Sequence, residues 1–144
     1  MKRKIYSIFT LLFSILMTAC IFVGCQVKAG NAKASVVQVT DTMLVIQVSE
    51  VEGEVTLFSV MEDLQKGGKI EFTVVGGMIT EINQKANAAD YSSCWMLYTS
   101  DEELSTAEWG TVLYEGKTCG GAVVGAQELP VAAGAYYIWQ YQSL

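Results

Sequence analysis

The sequence predicts an α+β domain in which a mixed or antiparallel sheet wraps round one short helix. Three observations predict it. Runs rich in β-branched and aromatic residues recur from Ser35 to Tyr141, several of them alternating. One stretch alone, Leu57 to Leu64, switches to helical spacing. The 144 residues suffice for a leader and a single modest core.

The leader comes first. Lys2, Arg3 and Lys4 precede 19 uncharged and mostly apolar residues, Ile5 to Val23. A basic start followed by an apolar run is the pattern of an export signal. The run is also long enough to serve as an uncleaved membrane anchor. Two cysteines at its distal end favour the signal. Phe22-Val23-Gly24-Cys25 and Met17-Thr18-Ala19-Cys20 each resemble a bacterial lipobox, in which a small residue precedes a Cys that becomes lipidated. Cys25 is the favoured attachment site and Cys20 the alternative, because cleavage before Cys20 would leave Ile21-Phe22-Val23 at the mature terminus. The reading is a lipoprotein signal peptide over residues 1–24, a lipid-anchored linker over 25–35 and a folded domain over 36–144. It places the protein outside the cytoplasm on the bacterial cell membrane, each buried CH₂ of the anchor contributing about 0.8 kcal/mol.

Charge narrows the partners. The whole chain carries −6, with fifteen Asp and Glu. Loss of the leader removes the single Arg and leaves six Lys, so the mature domain is more acidic still. Such a surface suits no nucleic acid and stands off from an anionic membrane. The complete absence of His removes imidazole bases, His-bearing triads and His metal ligands.

The elements follow in order. Ser35 to Thr40 and Met43 to Val48 read as strands, with Asp41-Thr42 a turn between them or a bulge in one long strand. Val51 to Val55 reads as a turn. Leu57, Val60, Met61 and Leu64 then fall on one helical face, with Thr56 as cap and Gly67-Gly68 as terminator. Ile70 to Val74 alternates, Gly76-Gly77 turns, and Met78 to Ile82 completes a candidate hairpin. Residues 83–91 read as a loop. Cys94 to Tyr98 is an apolar strand, and Thr99 to Thr106 is an acidic excursion. Trp109 to Tyr114, Ala122 to Leu129 and Tyr136 to Tyr141 are further strand-like runs. The last is nearly all aromatic and is expected to lie centrally, buried on both faces.

This order resembles the transcobalamin-like C-terminal domain family, which includes small bacterial surface lipoproteins. The resemblance runs from about residue 37 to 142. Its markers are Thr56-Leu57-Phe58-Ser59-Val60-Met61, Ile79-Thr80-Glu81-Ile82, Cys94-Trp95-Met96-Leu97-Tyr98, Val123-Val124-Gly125-Ala126, Leu129-Pro130-Val131 and Tyr137-Ile138-Trp139-Gln140-Tyr141. It implies a β-grasp-like fold, two small sheets with one helix. It also implies a domain that closes over one face of a corrinoid such as cobalamin while a helical-barrel partner holds the other.

Candidate site residues are few. Aromatic faces suit flat ligands. Trp109, next to Gly110 and after the acidic excursion, is the foremost candidate. Tyr98 and Tyr114 are expected beside it, and Trp95 is a further candidate, although Trp95 and Trp139 also suit the core. Cys94 and Cys119 are a candidate disulfide in an oxidising compartment, or else two reduced, buried thiols. With no His and no second Cys pair they make no zinc site. Asp101, Glu102, Glu103 and Glu108 match no EF-hand spacing and read as a solvated loop. The glycine pairs 67–68, 76–77 and 120–121 read as turns rather than phosphate loops. No catalytic residue, metal site or resident cofactor is expected. The expected function is non-catalytic ligand binding, with a corrinoid or similar ligand shared with a transport component or helical-barrel protein. The alternative is a cell-surface interaction or adhesion module.

Overall fold

The structure is a computed structural model that describes residues 30–144. The leader, Cys20 and Cys25 lie outside the described residues. The strands are β1 (Asn31–Thr40), β2 (Met43–Glu52), β3 (Phe72–Val75), β4 (Met78–Ile82), β5 (Lys85–Ala86), β6 (Ser93–Thr99), β7 (Ser105–Tyr114), β8 (Lys117–Ala122) and β9 (Tyr136–Ser143). Helix α1 spans Leu57–Lys66, and a short 3₁₀ turn spans Glu102–Leu104. Six strands form one sheet in the order β1-β2-β9-β6-β8-β7, and β3-β4-β5 form a second. Every pairing is antiparallel.

This corrects the α+β, β-grasp-like expectation. The molecule is a mostly antiparallel β structure with one large and one small sheet, and the helix is an accessory rather than the hub. The physical reason is the division of apolar material. Helix α1 has ten residues and buries Leu57, Val60 and Met61. The strands supply the larger share of the core, including Leu44, Ile46, Val48, Ile79, Ile82, Trp95, Tyr137 and Trp139. A helix with one narrow stripe covers part of a sheet face but cannot organise two sheets around itself.

Strand alternation assigns the faces of the large sheet. Leu44, Ile46 and Val48 of β2, with Tyr137 and Trp139 of β9, meet the helix and the small sheet. The intervening Val45 and Ile138 join Tyr98 and Cys119 in a second cluster on the other face, flanked by Met43, Met96, Val112, Tyr114 and Tyr136. Strand β9 is therefore central and buried on both faces, as its aromatic run predicts. Strand β1 begins at Asn31, so residues 31–35 of the expected linker are paired with β2.

The segment from Ala122 to Leu129 departs from strand texture for a reason visible in its bonds. It caps the helix. Leu57 N donates to Leu129 O at 2.8 Å and Phe58 N to Ala126 O at 2.9 Å, which satisfies donors that a helix start leaves open. Ser59 N donates to Thr56 Oγ1 at 3.3 Å. At the far end Gly68 takes φ +68°, and Lys69 N returns to Leu64 O at 2.9 Å, the left-handed closure that glycine permits. Among the described residues no helix is long and apolar enough to cross a membrane.

Candidate functional site

The large sheet is split. Strand β6 pairs with β9 along its whole length, Ser93–Thr99 against Tyr137–Ser143. On its other side it pairs with β8 only at Tyr98↔Gly121 and Thr99↔Gly120. Beyond that point β8 ends, and the chain swings through Val123–Gln127 toward the helix start. Cys94 to Leu97 are left facing a gap. The loop before β6 takes part of this edge, since Trp95 N donates to Asn87 Oδ1 at 2.9 Å and Ala88 N to Ser93 O at 2.8 Å. The remainder opens into a cleft of about 420 Å³, within the size range of small-molecule sites.

Its walls are apolar and aromatic. Phe58 and Ala126 come from the helix start and its capping loop, Trp95 and Leu97 from β6, Trp139 from β9, and Trp109 from β7. The mouth is ringed by Met78, Tyr91, Trp109 and Val123, all of them exposed. Phe58 is braced edge-on against Phe72, with ring centroids 5.7 Å apart. No carboxylate, amine or guanidinium lines the cleft; the polar side chains among its lining residues are Asn87, Tyr91 and Gln127.

Trp109 owes its position to a bulge and a glycine. Thr106 pairs with Gly121 and Thr111 with Gly120, so Ala107 to Gly110 bow out of the ladder. Gly110 adopts φ +93° at the end of that bow. A Cβ on Gly121 would stand 2.9 Å from the Trp109 Cβ, and one on Gly120 would stand 2.9 Å from Thr106 O. The pair Gly120-Gly121 is thus the flat floor of a strand and not the turn its composition suggests. Gly76-Gly77, by contrast, does turn, joining β3 to β4 with both residues at positive φ.

The four aromatic candidates divide two and two. Trp95 and Trp109 line the cleft. Trp95 is fixed there, its Nε1 donating to Lys85 O at 2.7 Å and its ring edge-on to Tyr141 at 5.5 Å. Tyr98 and Tyr114 lie instead on the opposite face of the sheet. The Tyr98 hydroxyl accepts from Gln142 Nε2 at 2.9 Å, and its ring supports Gly110 from beneath. Tyr114 packs edge-on against Tyr136 at 5.1 Å, and burial, then the charge of Glu115, pushes its phenol up. Sequence reasoning missed Phe58, Met78, Tyr91 and Val123, whose side chains gave no sign of a cleft, and it favoured a core role for Trp139, which also lines the cleft. Tyr91 is set at the mouth by a turn. Ser92 N and Oγ both donate to Asp90 Oδ1, at 3.0 and 2.7 Å, and Tyr91 itself sits at φ +57°. Those two bonds from Ser92 hold the Asp90 carboxyl below its ordinary value.

The candidate disulfide is corrected. Cys94 and Cys119 are both free and buried. Gly120 faces Thr99, so Cys119 lies one step past the end of β6 while Cys94 lies near its start. That separates them by roughly 20 Å along the ladder, far beyond disulfide reach. Cys94 Sγ lies 3.7 Å from Met96 Sδ, on the sheet face that carries Met96 and Tyr98 and not on the cleft side. Burial pushes the Cys119 thiol up, against a smaller opposing pull from Lys117. The acidic group stays outside the cleft. Asp101 Oδ1 caps the 3₁₀ turn by accepting from Glu103 N at 3.1 Å, and Glu102, Glu103 and Glu108 are exposed. Among the described residues no group of three or more His, Cys, Asp or Glu is arranged to hold a metal.

Comparison of the chain with protein-family models, with curated proteins and with solved structures gave no match.

Proposed function

We propose that this protein is a lipid-anchored, extracytoplasmic binding domain that holds a flat, uncharged ligand in the split between β6 and β8 and does no chemistry on it. The carrying observation is the cleft itself: aromatic walls, an exposed apolar mouth and no charged side chain in the lining. Such a lining favours burial of apolar surface and supplies no acid–base pair to move protons. The leader supports the address, with Cys25 as the lipid-bearing residue and Cys20 as the alternative.

The resemblance in residue order nominates a corrinoid as the first ligand to try. The cleft is too small to enclose a whole corrinoid, so it would grip one edge or face and leave the rest to a partner, a transport component or a helical-barrel protein. The alternative role, a cell-surface interaction or adhesion module, draws on the outer strand β1, where Val37 and Val39 are exposed. That edge carries register shifts at Lys33/Ala34 and Val36/Gln38, irregularities that discourage edge-to-edge pairing, so the cleft is the stronger basis.

Tryptophan fluorescence of the full chain in detergent tests the reading, titrated in turn with cobalamin, cobinamide and 2-naphthol. Saturable quenching that Trp109→Ala weakens is expected. Flat titration curves with every ligand contradict the cleft as a binding site.

A further inference from the structure

We infer that Trp139 is the polar anchor of the cleft, and that the ligand therefore carries a hydrogen-bond acceptor, such as a carbonyl or ring nitrogen, on its flat apolar body. The inference rests on the binding reading above and adds the ligand's chemistry to it. Trp139 is 6 % exposed and its ring is one wall of the cleft. Its Nε1 is closed off from solvent and is the one buried side-chain nitrogen or oxygen among the described residues without a partner. Buried polar groups are as a rule hydrogen-bonded, and the other deep indole obeys the rule, Trp95 giving its proton to Lys85 O.

An indole N–H can only donate, so its missing partner is an acceptor. No protein acceptor in the lining is placed to serve. Asn87 Oδ1 accepts from Trp95 N and makes no bond to Trp139 Nε1, and Gln127 is exposed at the rim. Because Nε1 is occluded in the empty cleft, the acceptor reaches it only when a side chain of the lining shifts. Met78 and Trp109, each more than half exposed, are the side chains with room to move. A cationic ligand finds no carboxylate in the lining and an anionic one no amine, which leaves a neutral acceptor.

The test is a matched pair of probes, 1-indanone and indane, alike in shape and differing by one carbonyl. Each is titrated into the ¹⁵N-labelled full chain while the three indole N–H resonances are followed. The Trp139 resonance is assigned from through-space contacts to its cross-strand neighbours Leu97 and Leu44. Indanone is expected to bind roughly two- to tenfold tighter than indane and to move the Trp139 resonance downfield, whereas indane leaves it nearly in place. In Trp139→Phe the preference is expected to vanish while indane still binds. Equal binding of both probes with a stationary Trp139 resonance overturns the anchor and leaves the cleft standing. No binding of either probe overturns the cleft as well. The wild-type titrations decide the matter even where the Phe variant fails to fold.

Discussion

Trp109 lies directly over Gly121. The Cβ that any other residue would add at 121 falls 2.9 Å from the Trp109 Cβ, closer than carbon atoms approach without displacement. One wall of the cleft thus depends on a missing side chain in the neighbouring strand. Gly121→Ala is expected to push the bulge outward and cost about 1–3 kcal/mol, the usual range for overpacking. Gly125→Ala, with nothing within 4 Å of its Cβ, is expected to stay within about 0.5 kcal/mol of wild type. Chemical denaturation of both variants checks the contrast.

Asn87 closes the part of the β6 edge that β8 leaves open, by accepting from Trp95 N. Asn87→Ala leaves that donor unpaired in a largely buried site and is expected to destabilise by about 1–3 kcal/mol. Asn87→Asp keeps the accepting oxygen and is expected to lose much less. Urea midpoints of the two variants separate the hydrogen bond from the loss of side-chain volume.

Cys94 and Cys119 are expected to titrate as two free thiols once the protein is unfolded without reductant, and to react slowly with a thiol reagent while it is folded. The double variant Cys94→Ser, Cys119→Ser leaves the fold without a lost cross-link to compensate, so any destabilisation traces to burying hydroxyls. A mass two units below the reduced value would show a bond between them.

Stability is expected to fall on the alkaline side. Burial holds the Cys119 thiol above its ordinary 9.0 and the Tyr137 phenol above its ordinary 10.0. Between the unfolded and folded pKa values the unfolded chain has released a proton that the folded chain keeps. The unfolded state then binds fewer protons, and unfolding free energy decreases as pH rises. The contribution is complete below about pH 9, declines through the thiol range and then through the phenol range. Cys119→Ser is expected to remove the earlier part of the decline, read as melting temperature against pH.

Lipid attachment is expected at Cys25. Metabolic labelling with an alkyne fatty acid should mark the wild type and Cys20→Ser but leave Cys25→Ser unmarked. The reverse pattern moves the site to Cys20, and an intact Met1 without acyl mass on the native protein removes the anchor altogether.

Local features were legible where one residue type answers to one local demand. The spacing of Leu57, Val60, Met61 and Leu64 predicts the helix, Thr56 its cap and Gly68 its end. Gly76-Gly77 predicts the turn of a hairpin, and the aromatic run at Tyr136 predicts a central strand. What escaped was set by pairing between distant segments. Gly120-Gly121 has the composition of a turn, but its function is to admit Trp109 and Thr106 from the next strand. Tyr98 and Tyr114 are near Trp109 along the chain, yet strand alternation and a four-residue bulge send them to the opposite face. Trp139 reads as core because it is core. Its unsatisfied nitrogen and its place on the cleft wall come from the point where β8 parts from β6, which no local pattern records.

The most direct test of the account is where a flat ligand sits. Crystals of the protein soaked with 6-bromo-2-naphthol would report the ring's position by anomalous scattering from bromine. The account predicts a single strong peak between β6 and the Val123–Gln127 loop, walled by Trp95, Trp109 and Trp139. A peak on the opposite face beside Tyr114 and Tyr136, or no peak at a concentration that quenches the tryptophans, would contradict it.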